Sequence, residues 1–501
     1  MTSAGDLVDW ARSHAGGQLV SDSRRAAHGD VFLAYPGDAN DGRRFIPAAV
    51  DRGAAAVLFE AEAFDWPAGI DVPHRAVADL QARAGEIADL AYGHPSRAMQ
   101  SFAVTGTNGK TTSTHWIAQA LSVLGKRPVL VGTLGAGFAD RLDVTGYTTP
   151  DAVLLHSLLA GYRARGADAL AIEASSIGLV EDRLASLHID VAVFTNLTHD
   201  HLDYHGTMAA YASAKRQLFD WPQLRAAVFN LDDATGASFA DELAGASALR
   251  VIGTRVVRGW QKAADDAGIE VVRAEDIEHD ASGLRFVLRH EGLVATVKLA
   301  TVGDYNVSNW LGCYAALVGA GHAPQAVLDA LSGVQPVDGR MQLIARERAP
   351  LVVVDYAHSP DALDQLLVSL RPIATVRNGR LVVVVGCGGD RDPAKRAVMG
   401  GIASRLADRT VLTSDNPRSE DPQSILDAMR RGAVADADVV DVVDRQRAIR
   451  EAITRAAADD VVVIAGKGHE RTQEIKGVKL PFHDAAEAER ALDLRAEVAA
   501  C

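Results

Sequence analysis

The sequence has few cysteines and no long apolar segment, and both absences narrow what the chain can be. Its 501 residues include only three cysteines, Cys313, Cys387 and Cys501, which lie far apart. None forms a CxxC pair, so neither a disulfide framework nor a zinc site is predicted. No apolar run approaches the roughly 20 residues that a membrane-spanning helix needs. The N-terminus lacks the basic and apolar regions of a signal peptide. We therefore expect a soluble protein of the reducing cytoplasm.

Positive charge is also scarce. Lys and Arg total 51 against 65 Asp and Glu, which gives a net charge of −14. This balance argues against nucleic-acid binding through bulk electrostatics, although local basic pockets could still bind anionic substrates. The chain is 48% hydrophobic and 23% charged, as in globular proteins. It is too long for one core, so about two to four domains are expected.

The apolar runs predict an α/β fold with three units, at residues 1–98, 99–338 and 339–501. Runs such as SFAVT, ALAIEAS, DVAVFTNL and AAVFNLDD are continuous and end in polar residues. That pattern is typical of a parallel sheet covered on both faces, with ligands bound where the strands end. Residues 283–300 instead alternate and turn at Glu291 and Gly292, which predicts a β-hairpin.

The segment VTGTNGKTT, residues 104–112, predicts a phosphate-binding loop between a strand and a helix. Its glycines allow backbone N–H groups to turn toward an anion, its lysine adds charge, and a threonine hydroxyl can ligate Mg²⁺. Because Val104 stands at the first glycine position of the full GxxxxGK[ST] pattern, a plain strand–turn–helix connection stays open. The candidate residues are Gly106, Thr107, Asn108, Gly109, Lys110, Thr111 and Thr112.

Acidic and imidazole side chains follow two further predicted strands. Glu173 ends ALAIEASS, and the segment 195–206 contains His199, Asp200, His201, Asp203 and His205. Together with the loop they favour a Mg²⁺ site, since this ion prefers oxygen ligands and tolerates an imidazole. A solvated polar loop is the alternative. Lys215, on a predicted helix with an apolar face, is by itself best interpreted as a surface lysine.

Six motifs in this order resemble the Mur ligases, the ATP-dependent amino-acid ligases of peptidoglycan precursor synthesis. They are TGTNGKTT, EASS, TNLTHDHLDYHG, YNVSNWLGCYAAL, DYAHSPDAL and GCGGDRD. The resemblance covers nearly the whole chain. It implies an N-terminal UDP-substrate-binding domain, a central P-loop ATPase-type parallel sheet and a C-terminal Rossmann-like domain. SDNPRSEDP and AGKGHE resemble in particular the members that add diaminopimelate.

The resemblance also implies a reaction. ATP would phosphorylate the D-glutamate γ-carboxylate of UDP-N-acetylmuramoyl-L-alanyl-D-glutamate, and the amine of meso-2,6-diaminopimelate would attack the acyl phosphate. The implied cofactors are ATP and Mg²⁺, and both partners are small molecules. We expect a monomer without a nucleic-acid partner.

Residue roles follow from the same resemblance. Lys110 and its loop would hold the β- and γ-phosphates. Lys215, whose counterpart is carbamylated in the family, would become an oxygen ligand rather than a surface cation. The implied metal ligands are Thr111 and Glu173 for one Mg²⁺, and Glu173, His201 and carbamylated Lys215 for a second. The other nucleotide contacts would be Asn306, Asn309, Arg340, Asp355 and His358. Helix capping by the two asparagines and a buried, satisfied His358 are the structural alternatives.

For the UDP-muramoyl peptide, the matching positions are Ser21, Ser23, Thr148, Thr149, Ser175, Glu181 and Arg183. Hydroxyl and guanidinium groups suit phosphate, sugar and carboxylate oxygens. Two positions depart from the family pattern. Tyr147 stands where an Asn is frequent, and Glu181 where a Gln is frequent, so both could change contacts to the peptide.

The amino-acid site is implied by DNPR and AGKGHE. The guanidinium of Arg418 could bind the distal carboxylate of diaminopimelate in bidentate fashion. Asn416 could add a hydrogen bond, and Asp415 and Glu470 could bind ammonium groups. The implied set is Arg391, Asp415, Asn416, Pro417, Arg418, Gly466 and Glu470. An ordinary proline turn is the alternative for DNPR.

Two other functions compete with this interpretation. A folylpolyglutamate synthase has a similar phosphate loop and the same acyl-phosphate chemistry, but the 98 residues before the loop and DNPR argue against it. A regulatory P-loop ATPase would bind nucleotide without ligating anything, and would have no use for the third α/β unit. Phosphate release that depends on both substrates would distinguish a ligase from such a switch.

Overall fold

The computed structural model describes residues 2–37, 40–245, 249–257, 269–280 and 283–500, without the side chains of residues 279–280 and 497–500. Cys501 lies outside the described residues. Cys313 and Cys387 are buried free thiols. Within the described part of the chain, no helix combines the length and apolar character that crossing a membrane requires.

The first sheet contains four parallel strands in the order β1-β2-β3-β4. The apolar segments VFLA and AVLFE form its two buried central strands. A capping box between Ser3 and Asp6 starts the first helix. The elements are α1 (Ala4–His14), β1 (Leu19–Val20), β2 (Val31–Ala34), α2 (Ile46–Asp51), β3 (Ala56–Glu60), β4 (His74–Val77) and α3 (Leu80–Ala91).

The second sheet has eleven strands. They are β5 (Gln100–Thr105), β6 (Pro128–Gly132), β7 (Gly135–Phe138), β8 (Arg141–Asp143), β9 (Ala169–Glu173), β10 (Val191–Phe194), β11 (Ala226–Asn230), β12 (Arg250–Val256), β13 (Glu270–Asp280), β14 (Gly283–His290) and β15 (Leu293–Leu299). Their order is β15-β14-β13-β12-β11-β10-β5-β9-β6-β7-β8. From β13 to β6 the neighbours are parallel, as predicted. Both edges are antiparallel, and β14 and β15 form the predicted hairpin.

Helices cover both faces of this sheet, which explains its continuous apolar strands. Phe102 and Val104 pack with Trp310 on one face, whereas Ala103 packs with Leu155 on the other. The helices are α4 (Lys110–Val123), α5 (Ala152–Ala164), α6 (Ser176–Val180), α7 (Leu202–His205), α8 (Met208–Arg216), α9 (Ala234–Leu243), α10 (Asp304–Gly319) and α11 (Pro324–Leu331).

The third sheet has the order β16-β17-β21-β18-β19-β20 and is parallel except for β16. Its strands are β16 (Gln342–Ile344), β17 (Leu351–Asp355), β18 (Leu381–Val385), β19 (Arg409–Leu412), β20 (Val439–Asp441) and β21 (Val461–Ala465), followed by a hairpin of β22 (Thr472–Ile475) and β23 (Val478–Pro481). Helices again lie on both faces. They are α12 (Pro360–Val376), α13 (Ala394–Leu406), α14 (Pro422–Arg430), α15 (Arg445–Arg455) and α16 (Asp484–Ala500).

Candidate active site

The loop at residues 106–109 joins β5 to the N-terminus of α4, as the sequence predicts. Gly109 has a φ of +87°, and a Cβ there would lie 2.3 Å from Oδ1 of Asn309. Both the conformation and the close approach therefore require glycine. The Nζ atom of Lys110 donates to the carbonyl oxygens of Gly106 and Thr107, each at 2.8 Å.

Residues at the end of β10 hold this loop in place. Thr195 donates to the carbonyl of Asn108 at 2.6 Å. The Asn196 side chain accepts from the Asn108 N–H at 2.9 Å and donates to its carbonyl at 3.2 Å. Thr195 and Asn196 are not among the site residues that the sequence predicts. The signal in the sequence was their position directly after a buried strand. Because β10 pairs with β5, residues that follow β10 lie beside the loop that follows β5.

Glu173 ends β9 beside the loop strand, in register with Val104. Its side chain is 1% exposed. The carboxylate accepts hydrogen bonds from the N–H of Thr133 at 2.9 Å and from its hydroxyl at 3.1 Å. No basic side chain of the described residues lies within ion-pair distance of it. A buried carboxylate without a cationic partner is costly, so its environment suits a bound cation.

The residues of the His/Asp segment separate in the structure. His199 is exposed, and His205 hydrogen-bonds Ser176 at 2.9 Å. His201 has a φ of +52°, and its ring is 48% exposed. Asp200 accepts from the backbone N–H of His201 at 2.9 Å. His201 is thus an accessible imidazole.

The interpretation of Lys215 as a surface residue is wrong. Lys215, on α8, is 1% exposed, and its Nζ atom donates to the carbonyl of Gly106 at 2.9 Å. The amine lies 4.3 Å from the ring centre of Tyr211. Burial, and then the charge of Lys110, hold the pKa of Lys215 well below its usual value. Neither lysine is ion-paired to an acidic side chain of the described residues.

A cavity of about 350 Å³ opens beside the loop. Residues from seven separate segments line it. Many are predicted nucleotide contacts: Asn108, Gly109, Thr112, Asn306, Asn309, Arg340, Asp355 and His358. Several other lining residues are not among the predicted contacts: Trp116, Asn230, Asp232, Asp233, Tyr305 and Tyr356. Only the fold brings residues 230–233 to this cavity.

The side chains around this cavity settle two structural alternatives. Asn306 and Asn309 do not cap α10, whose N-cap is Gly303. Asn306 instead donates to the carbonyl of Val302 at 2.8 Å, and Asn309 donates to Asn306 at 3.3 Å. His358 is exposed rather than buried. The capping and buried-histidine alternatives are therefore wrong.

Arg340 connects the third-sheet unit to the loop, and Asp355 ends β17 of that unit. The Arg340 guanidinium lies 4.4 Å from the ring centre of Tyr356 and donates to the Thr111 hydroxyl at 3.3 Å. Asp355 accepts from the N–H groups of Met341 and Ala357, at 2.7 and 2.8 Å. Residues of the second-sheet unit and residues of the third-sheet unit thus both bound the cavity.

The residues predicted for the UDP-muramoyl peptide lie near Glu173 and at the first sheet. Thr149 donates to the Glu173 carbonyl at 2.8 Å and lies 3.0 Å from the Ser175 hydroxyl. Thr148 lies 3.1 Å from the Thr133 hydroxyl. Ser21 donates to Asp151 at 2.7 Å, which joins the first sheet to α5. Ser23 is buried in a short turn apart from these contacts.

Both departures from the family pattern contact Arg183. Its Nε atom donates to Glu181 at 2.7 Å, and its guanidinium lies 5.4 Å from the Tyr147 ring centre. Nη1 of the same side chain donates to the Thr149 carbonyl at 3.0 Å. Tyr147 and Glu181 therefore fix the position of this guanidinium.

The second group of candidate residues, which we name the amino-acid turn, comprises residues 415–418 with Gly466 and Glu470. Asn416 donates to Glu470 at 2.8 Å. A Cβ on Gly466 would lie 2.7 Å from Asp415, and the φ of Gly466 is +117°. Arg418 has a φ of +51° and donates to the Gly389 carbonyl at 2.6 Å. This is more than a plain proline turn, because β22 binds its backbone at Arg418. Arg391 is exposed nearby, beside Gly388.

Three family models match successive parts of the chain. They are the Mur ligase family catalytic domain at residues 18–92, the Mur ligase middle domain at 104–317, and the Mur ligase glutamate ligase domain at 339–468. The chain is also 49% identical to the UDP-N-acetylmuramoyl-L-alanyl-D-glutamate–2,6-diaminopimelate ligase of Janthinobacterium sp. strain Marseille. That match covers 99% of this chain and 98% of the relative.

The chain belongs to the Mur ligase family. A solved UDP-N-acetylmuramoyl-L-alanyl-D-glutamate–2,6-diaminopimelate ligase matches with 36% identity and a TM-score of 0.65, over 95% of each chain. The Mycobacterium tuberculosis folylpolyglutamate synthase, solved with ADP and AMPPCP, matches with 19% identity and a TM-score of 0.60, over 82% of this chain and 95% of that one. The second match shows a shared fold alone. This Mur ligase therefore has the three-part α/β architecture that its sequence predicts.

Proposed function

We propose that this Mur ligase uses ATP to join meso-2,6-diaminopimelate to the D-glutamate γ-carboxylate of UDP-N-acetylmuramoyl-L-alanyl-D-glutamate, in peptidoglycan precursor synthesis. The observation that carries the proposal is the 49% identity, over nearly the full length, to a relative with this substrate pair in its name. The amino-acid turn and the phosphate loop agree with it.

The chemistry requires activation because a carboxylate is a poor electrophile at neutral pH. A γ-carboxylate oxygen attacks the terminal phosphorus of ATP, ADP leaves, and an acyl phosphate forms. The neutral amine of diaminopimelate then attacks the acyl carbon, and inorganic phosphate leaves as the amide forms. Lys110 and the N–H groups of residues 106–112 hold the β- and γ-phosphates during the first step.

The residues around Glu173 suit Mg²⁺, because this buried carboxylate has no cationic partner among the described residues. Thr111 and Glu173 would hold one ion, and Glu173, His201 and carbamylated Lys215 would hold a second. When bound, the ion offsets negative charge on the phosphoryl group. Lys215 contributes its lowered pKa, since a neutral amine adds to CO₂, releases a proton and becomes a carbamate. That product supplies oxygen ligands of the kind Mg²⁺ prefers.

We assign the remaining contacts to the residues that the family resemblance implies. Asn306 and Asn309 bind the adenine side of ATP, and Arg340, Asp355 and His358 bind it from the third domain. The UDP-muramoyl peptide binds Ser21, Ser23, Thr148, Thr149, Ser175, Glu181 and Arg183. Diaminopimelate binds the amino-acid turn and Arg391. Under this proposal, residues 1–98 form the domain that binds the UDP substrate. Residues 99–338 form the domain that binds ATP, and residues 339–501 form the domain that binds the amino acid.

We also propose a monomer that works in the cytoplasm. Its donor and acceptor, ATP and a UDP-linked sugar, are both water-soluble nucleotides. Gel filtration with light scattering at working concentration tests the first point, and a dimer would contradict it. Fractionation of cells that express the chain tests the second.

A phosphate-release assay with single omissions tests the reaction. Release should require ATP, Mg²⁺, UDP-N-acetylmuramoyl-L-alanyl-D-glutamate and diaminopimelate together, and mass spectrometry should detect the amide product. Release without the amine or the acceptor would favour a regulatory ATPase. Glutamylation of a folate in the same assay would favour a folylpolyglutamate synthase. Joining of lysine as readily as diaminopimelate would contradict the assigned amino acid.

A further inference from the structure

Lys467 is a buried cation next to the amino-acid turn, and the proposed reaction assigns it no role. It follows β21 and is 0% exposed. Its Nζ atom donates to Oδ1 of Asn416 at 2.9 Å and to Oε2 of Glu470 at 2.5 Å. A buried lysine is costly unless it is paired, so these two contacts are its compensation.

These contacts fix the orientation of the Asn416 amide. Oδ1 accepts from both Lys467 and the backbone N–H of Glu474, at 2.9 Å each. Nδ2 donates one hydrogen to Glu470 at 2.8 Å. A flipped amide would direct its own N–H groups at an ammonium and a backbone N–H, so the flip is excluded. Because an amide has two acceptor sites and two donor hydrogens, the group left for a ligand is one N–H donor.

The same cation gives the two oxygens of the Glu470 carboxylate different surroundings. Oε2 accepts from Lys467 and Asn416. Oε1 accepts no hydrogen bond from the described residues. The side chain is 30% exposed, so this oxygen can meet a ligand. Glu470 therefore offers an acceptor next to the donor that Asn416 offers.

We infer that Lys467 is a positioning residue that sets the polarity of the amino-acid site. It makes Asn416 a donor and Glu470 an acceptor, side by side. That pair complements a carboxylate and an ammonium on one carbon, as at the distal end of a diamino diacid. The inference rests on the proposed function, because it specifies how that site recognises diaminopimelate.

The test compares Lys467→Met with Lys479→Met, which removes an exposed lysine from β23. In Lys467→Met, the KM for diaminopimelate should rise by roughly 10- to 100-fold, as expected when a charged hydrogen-bond partner is lost. The KM values for ATP and the UDP-muramoyl dipeptide should stay within about twofold. Lys479→Met should leave all three KM values unchanged.

A double-mutant cycle separates positioning from general support of the fold. If Lys467 acts through Asn416 and Glu470, then Lys467→Met should add less than about twofold to the loss already caused by Asn416→Ala and Glu470→Ala together. Full additivity would contradict the inference. Thermal unfolding of each variant accompanies the kinetics, and Lys467→Gln, which keeps a shorter donor, replaces a variant that does not fold. If neither folds, Lys467 supports the fold and the inference is wrong.

The outcomes also distinguish this inference from the proposed function. If the wild-type chain forms no product from diaminopimelate, the proposed function fails. If the wild-type chain is active and Lys467→Met matches Lys479→Met, only the role of Lys467 fails.

Discussion

The phosphate loop and the amino-acid turn both lie at the C-terminal ends of parallel strands. They differ in whether the buried charged side chains form ion pairs. At the loop, the amines of Lys110 and Lys215 donate to backbone carbonyls. Neither is ion-paired to an acidic residue of the described chain, and Glu173 has no basic partner there. At the amino-acid turn, the neighbouring Lys467 is already paired with Glu470.

The difference indicates two kinds of binding site. The loop leaves charges uncompensated and so favours ligands that bring charge of their own, such as phosphates and a divalent cation. The amino-acid turn is compensated internally, so its polar groups are held in one arrangement before a ligand arrives. Under the proposed function, the first site would supply electrostatic stabilisation and the second would supply selectivity.

The largest expected effect comes from a substitution in the phosphate loop. Lys110→Met should lower turnover by about 10³-fold or more, because it removes the charge that faces the transferring phosphoryl group. The phosphate-release assay measures it. Lys126→Met, just beyond α4 and paired with Asp168, is the control and should keep turnover. Comparable turnover in Lys110→Met and wild type would reject the loop as the phosphate site.

The second effect addresses the amino-acid turn. Arg418→Ala should lower kcat/KM for diaminopimelate by about 10²-fold, since a guanidinium–carboxylate pair is lost. Binding of ADP, measured by calorimetry, should be unchanged. Arg418→Lys should recover only part of the loss, because lysine lacks the planar fork.

Arg430→Ala is the matched control for Arg418→Ala. Arg430 lies on α14 and pairs with Asp441 at the surface. Its loss should not affect diaminopimelate. If Arg418→Ala keeps wild-type kinetics for diaminopimelate, Arg418 does not bind the distal carboxylate.

The smallest effect concerns the buried, unpaired lysine. Since the pKa of Lys215 is held well below its usual 10.5, the unfolded chain binds a proton there that the folded chain does not, at pH values between the two. The unfolding free energy of wild type should therefore rise with pH relative to Lys215→Met, by up to about 1.4 kcal/mol per pH unit. Urea unfolding in buffer free of CO₂, metal and nucleotide measures it.

Lys298→Met, at an exposed position on β15, serves as the control and should follow the pH dependence of wild type. Bicarbonate should then stabilise wild type but not Lys215→Met, because only wild type can form the carbamate. Parallel pH profiles for wild type and Lys215→Met would show that Lys215 is not a depressed buried amine.

Local patterns predicted much of this molecule. The continuous runs predicted a parallel sheet covered on both faces, and the alternating segment predicted the hairpin of β14 and β15. They did not predict β7 and β8, which are short antiparallel edge strands without a strong pattern. Lys215 shows the limit most clearly. Its helix has an apolar face, but only tertiary packing of α8 on the loop buries the amine.

The order of apolar runs, the glycine loop and the motif set are local properties, because backbone conformation and burial pattern depend on neighbouring residues. They determined the fold class and the family. The pairing of charges did not follow from them. Whether Lys215 or Lys467 meets a carbonyl, a carboxylate or water depends on which strands become neighbours. Only the tertiary structure brings Asn416 and Lys467, which are far apart in the chain, within hydrogen-bond distance.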